Sequence, residues 1–294
     1  MASKERADVL LAAKGNFNSR TQAQRAIMAG LVTDHNHQRI DKAGEKFPVD
    51  EEFFIKKDNL KYVSRGGFKL EKAVKVWNID LKDKVCLDIG ASTGGFTDVA
   101  LQNGAKLVYA LDVGYNQLAW QLRDDPRVVV MERQNFRYSV PADFTEGLPD
   151  FAMTDVSFIS LDLIMPPMYE ILKDQGDAVC LIKPQFEAGP ENVGKHGIVR
   201  DHAVHQAVIE HTMAKALEIG FSILGVDYSP IKGGKGNIEF LLHLKKDQAN
   251  PGRISGPAQS ASWLTGLPRV CRKDAVGRLC LSNWISRISL SLRV

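Results

Sequence analysis

The sequence predicts an α/β protein: a doubly wound parallel sheet preceded by a small α+β module. Three observations carry this. Lys84 to Phe96 reads Lys-Val-Cys-Leu-Asp-Ile-Gly-Ala-Ser-Thr-Gly-Gly-Phe, an apolar run feeding a glycine turn and then helical residues through Gln102. Short apolar runs alternate with helix-period segments from about residue 60 to 245, as in a sheet with helices on both faces. Residues 1–58 lack that alternation and form their own unit.

The chain has 294 residues, 44% hydrophobic and 25% charged, the composition of an ordinary globular protein with ample length for a core. No apolar run approaches the ~18 residues of a membrane span, and the start, Met-Ala-Ser-Lys-Glu-Arg-Ala-Asp, lacks the apolar core of a signal peptide. A cytoplasmic protein is expected. Cys86, Cys180, Cys271 and Cys280 have no metal spacing; the first two fall in apolar runs, as inert reduced thiols do. Charge is uneven. Residues 246–294 hold eight Lys/Arg against two Asp/Glu, +6, which leaves the first 245 at −3.

In the first module, Arg6 to Ala13 reads as a helix with Val9, Leu10 and Ala13 inward, ended by Gly15. Ser19 with Gln22 is a capping-box signature opening a helix through Ala23, Ile27 and Met28 that stops at Gly30. Leu31 to Thr33 reads as a strand, Asp34 to Gln38 as a turn, and Phe53 to Ile55 closes the unit. Arg20, Arg25, Arg39 and Lys42 are placed to share one basic face. In the junction Asn59 to Leu70, Ser64 can cap a helix over 68–76; Gly66 and Gly67 imply a close backbone approach or a hinge.

In the second module, strands are expected near 85–89, 107–111, 128–131, 151–155, 178–183, 221–228 and 237–244. Helices are expected near 68–76, 95–103, 115–121, 167–174 and 202–219. His202 and His205 share the last helix, but no further ligand accompanies them, so no metal is expected.

The glycine turn after residue 89 leaves backbone N–H groups bare for a polar or anionic ligand. A dinucleotide fingerprint would need glycine where Ser92 stands. Asp88, inside the strand, would repel a pyrophosphate and attract the ammonium of a methionine moiety, which favours S-adenosylmethionine over NAD. Gly94 and Gly95 are expected to let that ligand reach the main chain. Asp112, ending the next apolar run, is placed to accept ribose hydroxyls.

Four charged residues fall at strand ends or helix starts, where open α/β sheets carry their sites: Lys69, Asp155, Lys183 in Leu-Ile-Lys-Pro-Gln-Phe, and Glu239 in Gly-Asn-Ile-Glu-Phe-Leu. A lysine closing the apolar run Ala178 to Ile182 is poorly explained by solvation.

Two stretches carry a family resemblance. Ser19 to Val32, Ser-Arg-x-x-Ala-x-x-x-Ile-x-x-Gly-x-Val, resembles the alpha-L RNA-binding motif. Ser64 to Leu70, Asp88 to Phe96, Asp155 to Ser160, Lys183 to Glu187 and Gly233 to Phe240 resemble FtsJ-like methyltransferases. Together, over about residues 4–245, the chain resembles the TlyA (hemolysin A) family, an alpha-L RNA-binding domain fused to an FtsJ-like ribosomal RNA 2′-O-methyltransferase.

The resemblance implies a Rossmann-like class I methyltransferase sheet over 59–245 and an RNA-binding domain over 1–58. Residues 246–294 form an atypical basic tail that matches nothing in the family. It implies Lys69, Asp155, Lys183 and Glu239 as the catalytic tetrad, and ribosomal RNA or a ribosomal subunit as partner, with a cytidine ribose as target. S-adenosylmethionine would meet Asp88, Gly90, Ser92, Gly94, Gly95, Phe96, Asp112, Asn135 and Asp155. Asn135 departs from the aspartate common in relatives outside the family, although an amide still hydrogen-bonds. Arg6, Arg20, Arg25, Arg39, Lys42 and Arg65 form the RNA-facing set, supplying affinity rather than sequence choice.

Lys183 is the expected general base, its pKa lowered by partial burial and a neighbouring cation such as Lys69, with no metal. The polar, glycine-rich segment 186–200 is read as a lid. Rival readings are a membrane-active hemolysin, an RNA-binding protein with an inert methyltransferase domain, and a small-molecule methyltransferase. The first wants an apolar span or a strongly amphipathic basic helix, and neither is evident.

Overall fold

The computed structural model describes residues 4–17, 19–28, 31–55, 61–233 and 236–254, with backbone alone at Arg25 and Met28. The chain divides into two compact units, 1–61 and 62–294.

The first unit packs α1 (Ala7–Ala13) and α2 (Arg20–Met28) with two small antiparallel ladders. One joins β1 (Lys4–Arg6) to β3 (Lys46–Pro48), the other β2 (Val32–Thr33) to β4 (Phe54–Ile55). Ala7, Leu11, Ala23, Ile27, Val32 and Ile40 form its core. Ser19 Oγ accepts from the Gln22 N–H, as the capping signature implies. The inward face of α1 differs from expectation: Ala7, Asp8, Leu10 and Leu11 are buried and Ala13 is exposed. Asp8 is fully buried because three side chains donate to it: Arg6 Nε at 2.9 Å, Arg20 Nε at 2.9 Å and Gln24 Nε2 at 2.6 Å. β1 and β3, three residues each, are too short to show a period in the sequence.

The second unit is a seven-stranded sheet of β5 (Val85–Ile89), β6 (Leu107–Asp112), β7 (Val128–Glu132), β8 (Phe151–Thr154), β9 (Asp177–Ile182), β10 (Phe221–Tyr228) and β11 (Phe240–Lys246). Its order is β10-β11-β9-β8-β5-β6-β7. Five strands are parallel; β11 runs antiparallel to both β9 and β10. Successive residues of each strand serve opposite faces. Cys86, Val108, Met153 and Leu181 meet α3 (Gly67–Val76) and α4 (Gly95–Gln102) on one side. Leu87, Tyr109, Ala152 and Cys180 meet α6 (Met165–Ile171) and α8 (His202–Ile219) on the other. Burial pushes the Cys86 and Cys180 thiols up to about 12, so neither is a nucleophile near neutral pH.

Three expected boundaries move. The helix over 115–121 is instead the short α5 (Trp120–Arg123), because Gly114 N–H donates to Asp112 and Asn116 takes a positive φ. Ser64 does not cap α3 by its side chain; Gly66 is the N-cap. The sheet extends past 245: Lys246 is buried, donating to the Tyr169 and Leu172 carbonyls at the end of α6, and Ile223 N–H bonds Arg253 O. Cys271, Cys280 and the tail from residue 255 lie outside the described residues. Among the described residues, no helix is long and apolar enough to cross a membrane.

Candidate active site

The site lies at the C-terminal edge of the parallel strands. β5 ends at Ile89, and Gly90 (φ +83°) turns the chain so that the Gly90 and Ala91 N–H groups both reach Leu111 O. A Cβ on Gly90 would stand 3.1 Å from Val156 Cγ1. Two joined cavities open over this turn. One, about 500 Å³, is lined by Lys69, Asp88, Phe96, Asp155, Lys183 and Glu239 among others. The other, about 450 Å³, is lined by Asp112, Gln117, Asn135, Phe136 and Ile164. Gly90, Ser92, Asp155, Ser157 and Phe158 border both.

Asp88 is fully buried. Its Oδ2 accepts from Thr97 N at 2.9 Å and Thr97 Oγ1 at 2.7 Å, while Oδ1 has no hydrogen-bond partner among the described residues. Burial, only partly offset by Thr97, pushes this carboxyl up to about 7. A buried acceptor at a cavity wall without a donor suits a guest that brings an ammonium. Asp112 holds the turn itself, accepting from Ser92 N at 2.8 Å and Gly114 N at 2.7 Å. Its oxygens keep lone pairs for hydroxyl donors. Asn135 is exposed and caps a 3₁₀ turn through Oδ1, accepting from Arg137 N.

The glycine pair works differently from expectation. Gly94 sits in the left-handed region (φ +96°), and a Cβ there would meet Leu122 at 2.3 Å and Leu118 at 2.7 Å. A Cβ on Gly95 would meet Ser64 Oγ at 2.3 Å and Gly67 N at 2.9 Å. Neighbouring protein needs both positions bare of a Cβ; Gly94 lines neither cavity, whereas Gly95 borders the first. Gly67 is pinned the same way, its missing Cβ lying 2.6 Å from Tyr62 Cγ. Close packing explains three of these four glycines: Gly67 against Tyr62, Gly94 against Leu118 and Leu122, and Gly95 against Ser64 and the start of α3.

Lys69, Asp155, Lys183 and Glu239 form one buried ionic chain. Lys69 Nζ lies 2.8 Å from Glu239 Oε2 and 2.9 Å from Asp155 Oδ2. Lys183 Nζ lies 2.6 Å from Asp155 Oδ1 and 2.9 Å from Ser157 Oγ. The expected cation pair of Lys69 and Lys183 is not formed, because the Asp155 carboxylate stands between them. Desolvation acts to lower Lys69, but Asp155 and Glu239 outweigh it and raise its pKa. For Asp155, burial is outweighed by Lys69 and Lys183, which hold its carboxyl below the usual range. Lys69 is therefore a fixed cation. Glu239 arrives just before β11, whose reversed direction brings its start to the edge where the parallel strands end.

Several residues of the site gave no signal of their own in the sequence. Ser157, inside the motif Thr-Asp-Val-Ser, receives Lys183. Asn237, buried, accepts from Val199 N at 3.0 Å and donates to Gly197 O at 2.8 Å. Glu187 accepts from Ser160 Oγ at 2.6 Å and Leu161 N at 2.9 Å. The last two tie the segment read as a lid to its neighbours. His205 is buried, its Nε2 3.2 Å from Val199 O, with its ring against His202.

Of the RNA-facing set, Arg6 and Arg20 are committed to Asp8. Arg39 pairs with Asp41 at 3.0 Å, and Lys42 and Arg65 are exposed. The Arg25 side chain lies outside the described residues.

The model of the FtsJ-like methyltransferases matches residues 62–246. A Bacillus subtilis protein provisionally named the rRNA methyltransferase YqxC is 58% identical over 243 residues, 83% of this chain and 86% of its own. The 16S/23S rRNA (cytidine-2′-O)-methyltransferase TlyA of Mycobacterium tuberculosis is 40% identical over 245 residues, 83% and 91% of the two chains. A solved structure from Streptococcus thermophilus, provisionally named a hemolysin, is 56% identical with a TM-score of 0.68, covering 88% of this chain and 94% of that one.

Proposed function

Because the chain belongs to the FtsJ-like methyltransferase family, we propose that it methylates the 2′-hydroxyl of a cytidine ribose in ribosomal RNA, using S-adenosylmethionine. The observation that carries this reading is the buried chain Glu239–Lys69–Asp155–Lys183 opening on the cavity above the glycine turn.

When bound, S-adenosylmethionine supplies the sulfonium methyl that is transferred. The free Oδ1 of Asp88 would hold the ammonium end, Asp112 the ribose, and Asn135 beside Phe136 the adenine end of the second cavity. Ser92 and Phe96 line the passage. A ribose hydroxyl must lose its proton as it attacks carbon. Lys183 is the base: its ammonium form is held by Asp155 Oδ1, Asp155 O and Ser157 Oγ, which fix where its nitrogen points. Lys69 stays charged and orients Asp155. Alignment of oxygen, methyl and sulfur supplies much of the rate.

The first unit is assigned as an alpha-L type RNA-binding domain, with exposed Arg39 and Lys42 toward phosphate. Action on ribosomal RNA goes with a cytoplasmic place for the protein in this reading. Tritiated cofactor incubated with each ribosomal subunit, followed by mapping of the label, tests the reading. Label is expected on a cytidine 2′-oxygen. Lys183→Ala should slow transfer at least ~100-fold while cofactor affinity, read by calorimetry, stays within about threefold. Label on a base, or undiminished transfer by the variant, would count against it.

A further inference from the structure

We propose that Gln185 reads the target base by accepting a hydrogen bond from the exocyclic amine of cytosine. The proposal rests on the methyl-transfer reading of the cavity. Gln185 stands two residues after Lys183, in the first turn of α7 (Pro184–Glu187), and lines the same cavity as Lys69, Lys183 and Glu239. Its carboxamide oxygen is buried and accepts no hydrogen bond from any described residue. A buried acceptor is costly to leave without a donor.

Two neighbouring neutral side chains are spent. Asn237 is engaged at both ends by Gly197 and Val199, and the Ser157 hydroxyl receives Lys183. Outside the ion pairs, two buried acceptors in this cavity wall lack a donor among the described residues: Asp88 Oδ1 and Gln185 Oε1. They belong to β5 and to the turn after β9, strands that β8 separates in the sheet. The two guests of the reaction each bring one N–H group to match. The cofactor has its ammonium, which belongs with the carboxylate. Within an RNA chain the 3′ and 5′ oxygens are esterified, so a cytidine offers only two donors. One is the 2′-hydroxyl, whose proton goes to Lys183; the other is the amine on C4.

Uracil has a carbonyl oxygen where cytosine has that amine, and it would face Oε1 lone pair to lone pair. Turning the amide over would answer the carbonyl but bury an NH₂ with two hydrogens opposite one acceptor. The amide therefore favours cytidine, by about tenfold on the scale of one good base contact.

The test uses the full chain and ribosomal subunits carrying either cytidine or uridine at the labelled nucleotide, since both have the reacting hydroxyl. The wild type should show a kcat/KM about tenfold higher on the cytidine subunit. Gln185→Leu and the flexible Gln185→Met should each bring that ratio within about threefold, mainly by losing rate on cytidine, with cofactor affinity unchanged by calorimetry. A wild-type ratio near one, or a ratio unmoved in both variants, would overturn the proposal. Weakened cofactor binding in both variants would give the orphan oxygen to the cofactor and overturn it as well. Failure of the wild type to label either subunit would instead defeat the methyl-transfer reading.

Discussion

The Asp88 carboxyl is pushed up to about 7 because burial disfavours its charged form more than the two Thr97 donors favour it. The sign follows from linkage. Between the unfolded value near ~4 and about 7, the folded chain keeps a proton that the unfolded chain has released, so this group makes stability fall as pH rises across that window. Binding an ammonium runs the other way, since it needs the carboxylate. Cofactor affinity should therefore strengthen by roughly tenfold from about pH 6 to about 7.5, and Asp88→Asn should bind weakly with a flat profile; calorimetry across that range reads both. The two lysines share Asp155 unequally in role. Lys69 has carboxylates on both sides, whereas Lys183 has one carboxylate and a hydroxyl.

Among the elements, those whose pattern is set by burial on both faces could be read directly. Val85–Ile89 and Phe221–Tyr228 lie where their apolar runs place them. Elements shaped by specific side-chain contacts could not. The segment after Asp112 is drawn into the turn by that carboxylate, leaving only one helical turn at Trp120–Arg123. Gly94 and Gly95 were visible as a special pair, but their reason was not, because it lies in Leu118, Leu122 and Ser64. The same holds for Lys69, Asp155, Lys183 and Glu239: strand-end positions made them candidates, while the order of charges along the chain emerges only in three dimensions. Packing at the start of α3 gives the prediction at this scale. Gly67→Ala would drive a Cβ into Tyr62, whose ring cannot yield without moving its own backbone. Overpacking of this kind costs about 1–3 kcal/mol, read as a Tm lower by roughly 3–10 °C.

At the scale of the molecule, the two units divide between a sheet that holds the chemistry and a small domain assigned to RNA. Of the six arginines and lysines read as RNA-facing, Arg39, Lys42 and Arg65 are exposed and stand clear of Asp8. Arg6 and Arg20 are occupied with that carboxylate, which makes their loss a matter of folding as much as of charge. Replacing Arg39 and Lys42 together by Ala should weaken subunit binding and flatten its dependence on log salt by roughly 2, about 1 for each phosphate no longer neutralised, with cofactor affinity unaffected. Filter binding at several salt concentrations measures it. Glu239 enters the site just ahead of the strand that reverses direction next to β9, later in the chain than Lys69, Asp155 and Lys183. Of the four charged groups it is the last to leave the ribosome, so a product stopped at a premature codon between residues 183 and 239 would carry both lysines and lack one of the two carboxylates that hold Lys69.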